Sequence, residues 1–393
     1  MLRLLVTRGR DAIRTGWQLV GVTLLALLLV EGFGRVVFWG RDAIGRLREP
    51  KATAGELQAM TPCIREAKAL RLRWRSYVYW CGVESHGGCV TVGSDGLRPT
   101  WQPAVRDSVA PRIAMFGGSA MWGMGAPDDE TIPSLVARRL AEAGEAARVE
   151  NDAQLGWVST QSLVELMLQL RADRIPRVAV FCDGWNDICS CFQMAQAGIP
   201  QNEFNREAEF NLLQDPGRMR RLALGAPSPT VLGQVAAGIR SKLRRRTLPG
   251  AWPQWTRVLG GEPSEAQIDS AAREVVRCYE GNLRVLETLG REYGFHPLFY
   301  WQPDLFTKHA LTAAEAGSIR GSEQLGRFVR AVHRAIRESR YLREERSFRD
   351  LSEMFADRTD AVFLDLCHVG GEANGVLADA MLGDIRRAIA SDK

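Results

Sequence analysis

A chain of 393 residues with 46% hydrophobic and 25% charged side chains has an ordinary globular balance, which argues against wholesale disorder, collagen-like repeats and a polytopic membrane protein. The formal net charge of +5 is too small to mark a nucleic-acid binder, and the excess is local, since residues 216–261 carry nine Lys/Arg and no acid. Eight cysteines without paired CxxC spacing are too few for a disulfide-built scaffold and do not form a structural zinc pattern.

The amino terminus reads as a membrane anchor. Gly16–Val30 has no charge, and extension to Trp39 adds only Glu31 and Arg35, spaced to pair on one helix face. Trp17 and Trp39 bracket this span like interfacial anchors, about 33 Å apart along a helix. The only nearby small-x-small sequence, Gly32-Phe33-Gly34, is a poor cleavage site, so a single uncleaved transmembrane helix within residues 1–39 is expected. Arg3, Arg8, Arg10 and Arg14 before the span balance Arg41, Arg46, Arg48 and Lys51 after it, so charge does not set its orientation.

Residues 40–110 read as a linker and a small β-rich lead-in, with YVYW and CVTVG as β-type runs. From residue 111 to 393 strand-then-helix units follow. Strands are expected at Arg112–Phe116, Arg148–Asn151, Arg177–Phe181, HPLFYW near residue 300, and Ala361–Leu366. Helices are expected over Ile132–Ala143, over Thr160–Ala172, from the Ser264/Gln267 capping box to Gly294, and closing the chain near Ala390. An insertion spans about 188–261. Apolar strands alternating with amphipathic helices predict a parallel sheet covered on both faces, with reactive groups at the carboxyl ends of the strands.

Four of those strand ends carry suggestive residues. Ser119 sits on a Gly117-Gly118-Ser119 turn, where a hydroxyl and backbone N–H groups can face a substrate. Gly156 follows the second strand and Asn186 lies in a Gly-Trp-Asn-Asp turn after the third. Asp365 and His368, three apart, can hold an imidazole in the tautomer that accepts a serine proton. Each signal alone also fits an ordinary turn or a structural histidine. In this order the set resembles the SGNH (GDSL-type) hydrolase family, whose four blocks supply Ser, Gly, Asn and His; the resemblance runs from about Arg112 to Ala390. Gly118 stands where the GDSL name has an aspartate.

The resemblance implies a flavodoxin-like three-layer α/β/α sandwich with a five-stranded parallel sheet. It also implies Ser119 as nucleophile, His368 as general base, Asp365 as its orienter, and an oxyanion hole from the Ser119 and Gly156 N–H groups and the Asn186 amide. No metal or organic cofactor is expected. The implied activity is a serine esterase removing O-acyl groups, O-acetyl foremost, from a cell-envelope saccharide, with the domain on the exported side of the membrane. Acyl transfer to a glycan, a lipase or thioesterase activity, and a silent glycan-binding module are the alternatives.

Trp122, Trp157 and Trp185 flank the blocks and fit either a substrate lining or packing around the loops. Arg244, Arg245 and Arg246 in the insertion fit either an anionic-surface contact or a solvated helix face, and no nucleic-acid partner is expected. Cys189, Cys191 and Cys367 should share one neighbourhood beside the site, as a disulfide, as free thiols or as a zinc site. His86, His296, His309 and His333 lack motif context and read as structural or exposed.

Overall fold

The computed structural model describes residues 61–103, 110–201 and 262–391, with isolated positions within 17–29 and 203–210. The expected anchor at 1–39 and the basic Arg244–Arg246 run therefore lie outside the described residues, save for a few helical positions between 17 and 29. Among the described residues no helix is long and apolar enough to cross a membrane. The chain divides into two units, and the lead-in and the sheet with its covering helices belong to the one formed by Thr53–Arg206 and Ala251–Lys393.

The lead-in is helix α1 (Pro62–Ala69), the hairpin β1 (Leu72–Arg75) and β2 (Tyr79–Gly82), and the two-residue strands β3 (Ser85–His86) and β4 (Thr91–Val92). A disulfide joins Cys63 to Cys89, Cα to Cα 5.2 Å, and Glu66 caps the Gly88, Cys89 and Val90 amides beside it. The rest of the chain then runs β5 (Arg112–Gly117), α2 (Ser119–Trp122), α3 (Ile132–Glu142), β6 (Arg148–Asn151), α4 (Ser159–Arg171), β7 (Val178–Asp183) and α5 (Trp185–Met194). After the insertion come α6 (Glu265–Tyr293), β8 (His296–Trp301), α7 (Ala313–Ile319), α8 (Glu323–Glu338), α9 (Arg340–Glu344), β9 (Phe348–Asp350) and α10 (Gly371–Ala390).

The five long-sheet strands are parallel in the order β6-β5-β7-β8-β9. Alternation decides which core each side chain enters. Ala114, Phe116, Ala179 and Phe181 point to one face, where α4, α5, α6 and α8 bury them. Ile113, Met115, Val178 and Val180 point to the other, against α2, α3 and α10. The result is the expected three-layer sandwich. Helix α6 begins and ends as its residues require: Ser264 and Gln267 cap it reciprocally, and Gly294 closes it in a left-handed conformation.

One strand assignment is overturned. Ala361–Leu366 makes only an isolated bridge, Phe363 to Val369, and the fifth strand is Phe348–Asp350. The amides of Val362 and Phe363 are taken by the Glu315 carboxylate, and Leu364 N–H by the His368 carbonyl, so this stretch has given its donors away. Val362 and Phe363 are buried all the same, and Leu366 packs against the core half-buried, which is why the sequence looks like a core strand.

Candidate active site

The Ser119 position is built from backbone. Strand β5 ends at Gly117, Gly118 is the N-cap of α2, and Ser119 is its first residue. A four-residue helix cannot hold itself. Its C-terminal carbonyls are collected by Arg98, a guanidinium only 1% exposed, which donates to Trp122 O, Gly123 O and Ala126 O, pairs with Asp128 at 2.7 Å and lies over the Trp122 ring. Burial lowers the Arg98 pKa, against which Asp128 acts.

Ser119 Oγ lies 2.6 Å from His368 Nε2, and His368 Nδ1 lies 2.8 Å from Asp365 Oδ2. Burial alone would raise the Asp365 carboxyl, but the hydrogen bond and charge of His368, with the Cys367 and His368 amides, hold it down at about 2. It is thus an acceptor that fixes the imidazole with Nδ1–H toward itself and Nε2 toward the serine.

The loop that carries this pair has little regular structure, and a side-chain network holds it. Lys308 and Glu315, whose side chains are both 0% exposed, pair at 2.6 Å; Lys308 also donates to Asp360 O, and Glu315 takes the Val362 and Phe363 amides. Burial would raise the Glu315 pKa, yet Lys308 and the Thr312, Val362 and Phe363 amides bring it to about 2. Leu305 N–H donates to Leu366 O from the other side, with Asp304 next to it bonded to the buried His333.

Gly156 and Asn186 complete the arrangement. Gly156 has φ +77°, a conformation that favours glycine, in the loop after β6. Among the described residues neither its N–H nor that of Ser119 is taken by a protein acceptor. Asn186 donates to Trp157 O at 2.8 Å and accepts from Gln201, which fixes its amide. A Cβ on Gly118 would stand 2.1 Å from Asn186 Nδ2, so the amide rests directly on the N-cap of the serine helix. An aspartate could not occupy that place without displacing Asn186. A hydrogen-bonded Ser119-His368-Asp365 chain, with the Asn186 amide against the Gly118 N-cap, is an arrangement able to deprotonate the serine.

The flanking tryptophans are packed. Trp122 and Trp157 are each 1% exposed, the first under Arg98 and the second donating to Trp80 O, and Trp185 stacks on Phe306. The lining reading gives way to packing because each indole is already enclosed. Of the alternatives open for Cys189, Cys191 and Cys367, the disulfide is not formed; among the described residues the disulfide is Cys63–Cys89 in the lead-in. Cys367 Sγ lies 3.6 Å from His368 Nδ1, and burial and the neighbouring Asp365 raise its pKa. Asp365, Cys367 and His368 are near enough to share a metal, but an ion there would compete with both hydrogen bonds of the imidazole.

Sequence reasoning missed the supports. Asp187, beside Asn186, accepts from Ser159 N and Oγ and so ties the Gly156 loop to α5. Burial raises its pKa to about 6, and burial together with Asp187 pushes Asp183 well up. The Gly-x-Asn-Asp turn was the one available signal for Asp187. Arg98 had none, because its partners lie elsewhere in the chain, and the Thr312-x-x-Glu315 capping box marks Glu315 only as a helix start.

No protein-family model matches the chain, and no curated protein does. Among solved structures it is similar to a lipase/acylhydrolase from Enterococcus faecalis (14% identity, 70% of this chain and 95% of that one, TM-score 0.32). It is also similar to a carbohydrate acetylesterase family member from Sinorhizobium meliloti (14%, 72% and 100%, TM-score 0.33). A third is a protein described as lipolytic, of the G-D-S-L family, from Desulfitobacterium hafniense DCB-2 (7%, 70% and 98%, TM-score 0.35).

Proposed function

We propose that the chain is an SGNH-type serine ester hydrolase that removes short O-acyl groups, O-acetyl foremost, from a cell-envelope saccharide. The observation that carries this is the continuous chain Ser119 Oγ–His368 Nε2 at 2.6 Å and His368 Nδ1–Asp365 at 2.8 Å. The silent-module alternative gains weight when Ser119 and His368 are too far apart to bond, and here they bond. Ser119, Asn186 and His368 are all less than a tenth exposed, which favours a small acyl group at the reacting carbon.

In this reading Ser119 Oγ attacks the ester carbonyl while His368 Nε2 takes its proton. The oxyanion is held by the Ser119 and Gly156 N–H groups and the Asn186 amide, each donor contributing about 3–4 kcal/mol in comparable sites. Collapse expels the alcohol, which receives the proton from His368. Water, deprotonated by His368, then attacks the acyl-serine and releases the acid. An acceptor hydroxyl in place of water would make the same residues a transferase.

A panel of 4-nitrophenyl and saccharide acetates, butyrates and octanoates, with Ser119→Ala as control, tests the proposal. Turnover that falls with acyl length and vanishes in the control supports it. Equal turnover by wild type and control would end it. The uncharged Gly16–Val30 segment supports anchoring in a membrane, and partition of the full chain into the soluble fraction of disrupted cells would end that part.

A further inference from the structure

The lead-in ends on the same backbone that carries Ser119 and Gly156. One joint is Gln154, two residues before Gly156 and 1% exposed. Its side chain faces the lead-in: Oε1 accepts the Gly82 N–H at 3.1 Å, and Nε2 donates to Gly96 O at 2.8 Å. Both glycines are buried. Its backbone faces the site: the Gln154 N–H donates to Gly117 O at 3.1 Å, and its carbonyl accepts the Trp157 N–H. One residue thus ties two lead-in segments to the end of β5 and to the turn that presents Gly156. Trp80 closes the same turn, with Nε1 donating to Leu155 O at 2.7 Å and its carbonyl accepting Trp157 Nε1 at 3.2 Å.

Arg98 is the other joint, on the serine helix. A guanidinium has five N–H donors, and here there are five acceptors. Nε meets Asp128, Nη1 meets Trp122 O and Gly123 O, and Nη2 meets Ala126 O and Cys89 O. The Gly123 and Met124 amides in turn donate to Ser119 O, so the clamp reaches the serine's own carbonyl through one further residue. The lead-in end of the clamp is fixed as well. Cys89 is bridged to Cys63 and gives its N–H to Glu66, and the Thr91 N–H shares the Asp128 oxygen that Arg98 holds. Buried polar groups paired this fully hold one geometry, because each lost partner leaves a desolvated donor or acceptor behind.

We infer that Gln154 and Arg98 are positioning residues for the reaction, through which the lead-in sets the Gly156 and Ser119 N–H groups against the oxyanion. This rests on the esterase reading, in which those two groups are the backbone donors. Misplacement by about 1 Å can cost about 10²-fold in rate, so the lead-in is part of the catalytic unit and does not merely precede it.

The test takes full-length Gln154→Met, Arg98→Lys and Trp80→Phe proteins, with the folded fraction of each set by urea unfolding. Each is assayed on 4-nitrophenyl acetate and on the matching thionoacetate, whose sulfur is the weaker hydrogen-bond acceptor and draws little on oxyanion donors. Gln154→Met keeps the side-chain length and removes both amide bonds. It should lower kcat for the oxygen ester by about 10–10²-fold with KM within about twofold, while the thionoester rate falls less than about threefold. Arg98→Lys keeps the charge and loses the fork, and should act in the same direction by about tenfold. Trp80→Phe keeps a ring and removes one bond, and should cost about threefold. Parental kcat in folded Gln154→Met, or in Trp80→Phe should Gln154→Met not fold, would overturn the inference. Equal falls for the two esters would overturn it too, since that is the mark of a purely structural role. A wild type active alongside parental variants ends the inference and spares the esterase reading; a wild type that turns over no oxygen ester ends both.

Discussion

Ser119 and His368 are 2.6 Å apart, yet the chain holds them by different means. The serine side is backbone work: a central strand, a glycine N-cap and a short helix, with one buried arginine gathering its last carbonyls. The histidine side lies in a stretch with a single isolated bridge, held by a buried ion pair that takes the place of a sheet. A strand can be lengthened or shortened without losing its ladder, but a loop braced by one carboxylate depends on that carboxylate. The two halves of the site should accordingly fail in different ways.

The largest effect is expected where they meet. Ser119→Ala and His368→Ala should each lower kcat by about 10⁴-fold or more, and the double variant should be hardly worse, since the groups act as one unit. Steady-state kinetics on a 4-nitrophenyl ester would show it; additive losses would mean that the two do not cooperate. Asn186→Ala should be milder, about 10²–10³-fold in kcat with little change in KM, as fits a donor used in the transition state.

The brace should show itself as stability. Glu315→Gln leaves Lys308 buried without its counter-charge and should cost about 3 kcal/mol in denaturant unfolding, with activity falling alongside. The sign of its pH dependence follows from a folded pKa of about 2, below the ordinary glutamate value: the stabilisation is complete above about pH 4.5 and is lost as pH falls toward 2. A Glu315→Gln protein as stable as its parent at neutral pH would remove the distinction between the two halves.

The smallest effect belongs to the backbone-built side. Asp183 and Asp187 are buried carboxyls with raised pKa values, so the folded state holds protons that the unfolded state releases, and stability falls as pH rises from about 4 through 6. Asp183→Asn should relieve part of this, raising Tm by a few degrees at pH 8 and less at pH 4. Calorimetry at the two pH values decides it; an equal shift at both would point to packing instead of charge.

The same contrast explains what could be read from the sequence. Four of the five strands were legible, because a buried strand between a turn and a helix declares itself by composition; Arg112–Gly117 and Val178–Asp183 are the clearest. The edge strand Phe348–Asp350 has three half-buried or exposed residues and no such signature, whereas Ala361–Leu366 is apolar for a core position that is not a strand. The Ser119, His368 and Asp365 group that the structure brings together was legible as short motifs at strand ends. Its supports were not: Glu315 reaches Val362 across 47 residues, Arg98 reaches Gly123 across 25, and Arg75 reaches Glu165 across 90. The cysteine pairing was not legible for the same reason: Cys189, in α5, and Cys367 form no disulfide, while Cys63 and Cys89 pair in the lead-in.

The claim on which the rest depends is that His368 makes Ser119 nucleophilic. Incubation of the full chain with a fluorophosphonate, followed by peptide mass spectrometry, addresses it directly. The expected result is a single phosphonylated residue, Ser119, with labelling in His368→Ala slowed by about 10³-fold or more. A label on another residue, or labelling of Ser119 at the same rate without His368, would contradict it.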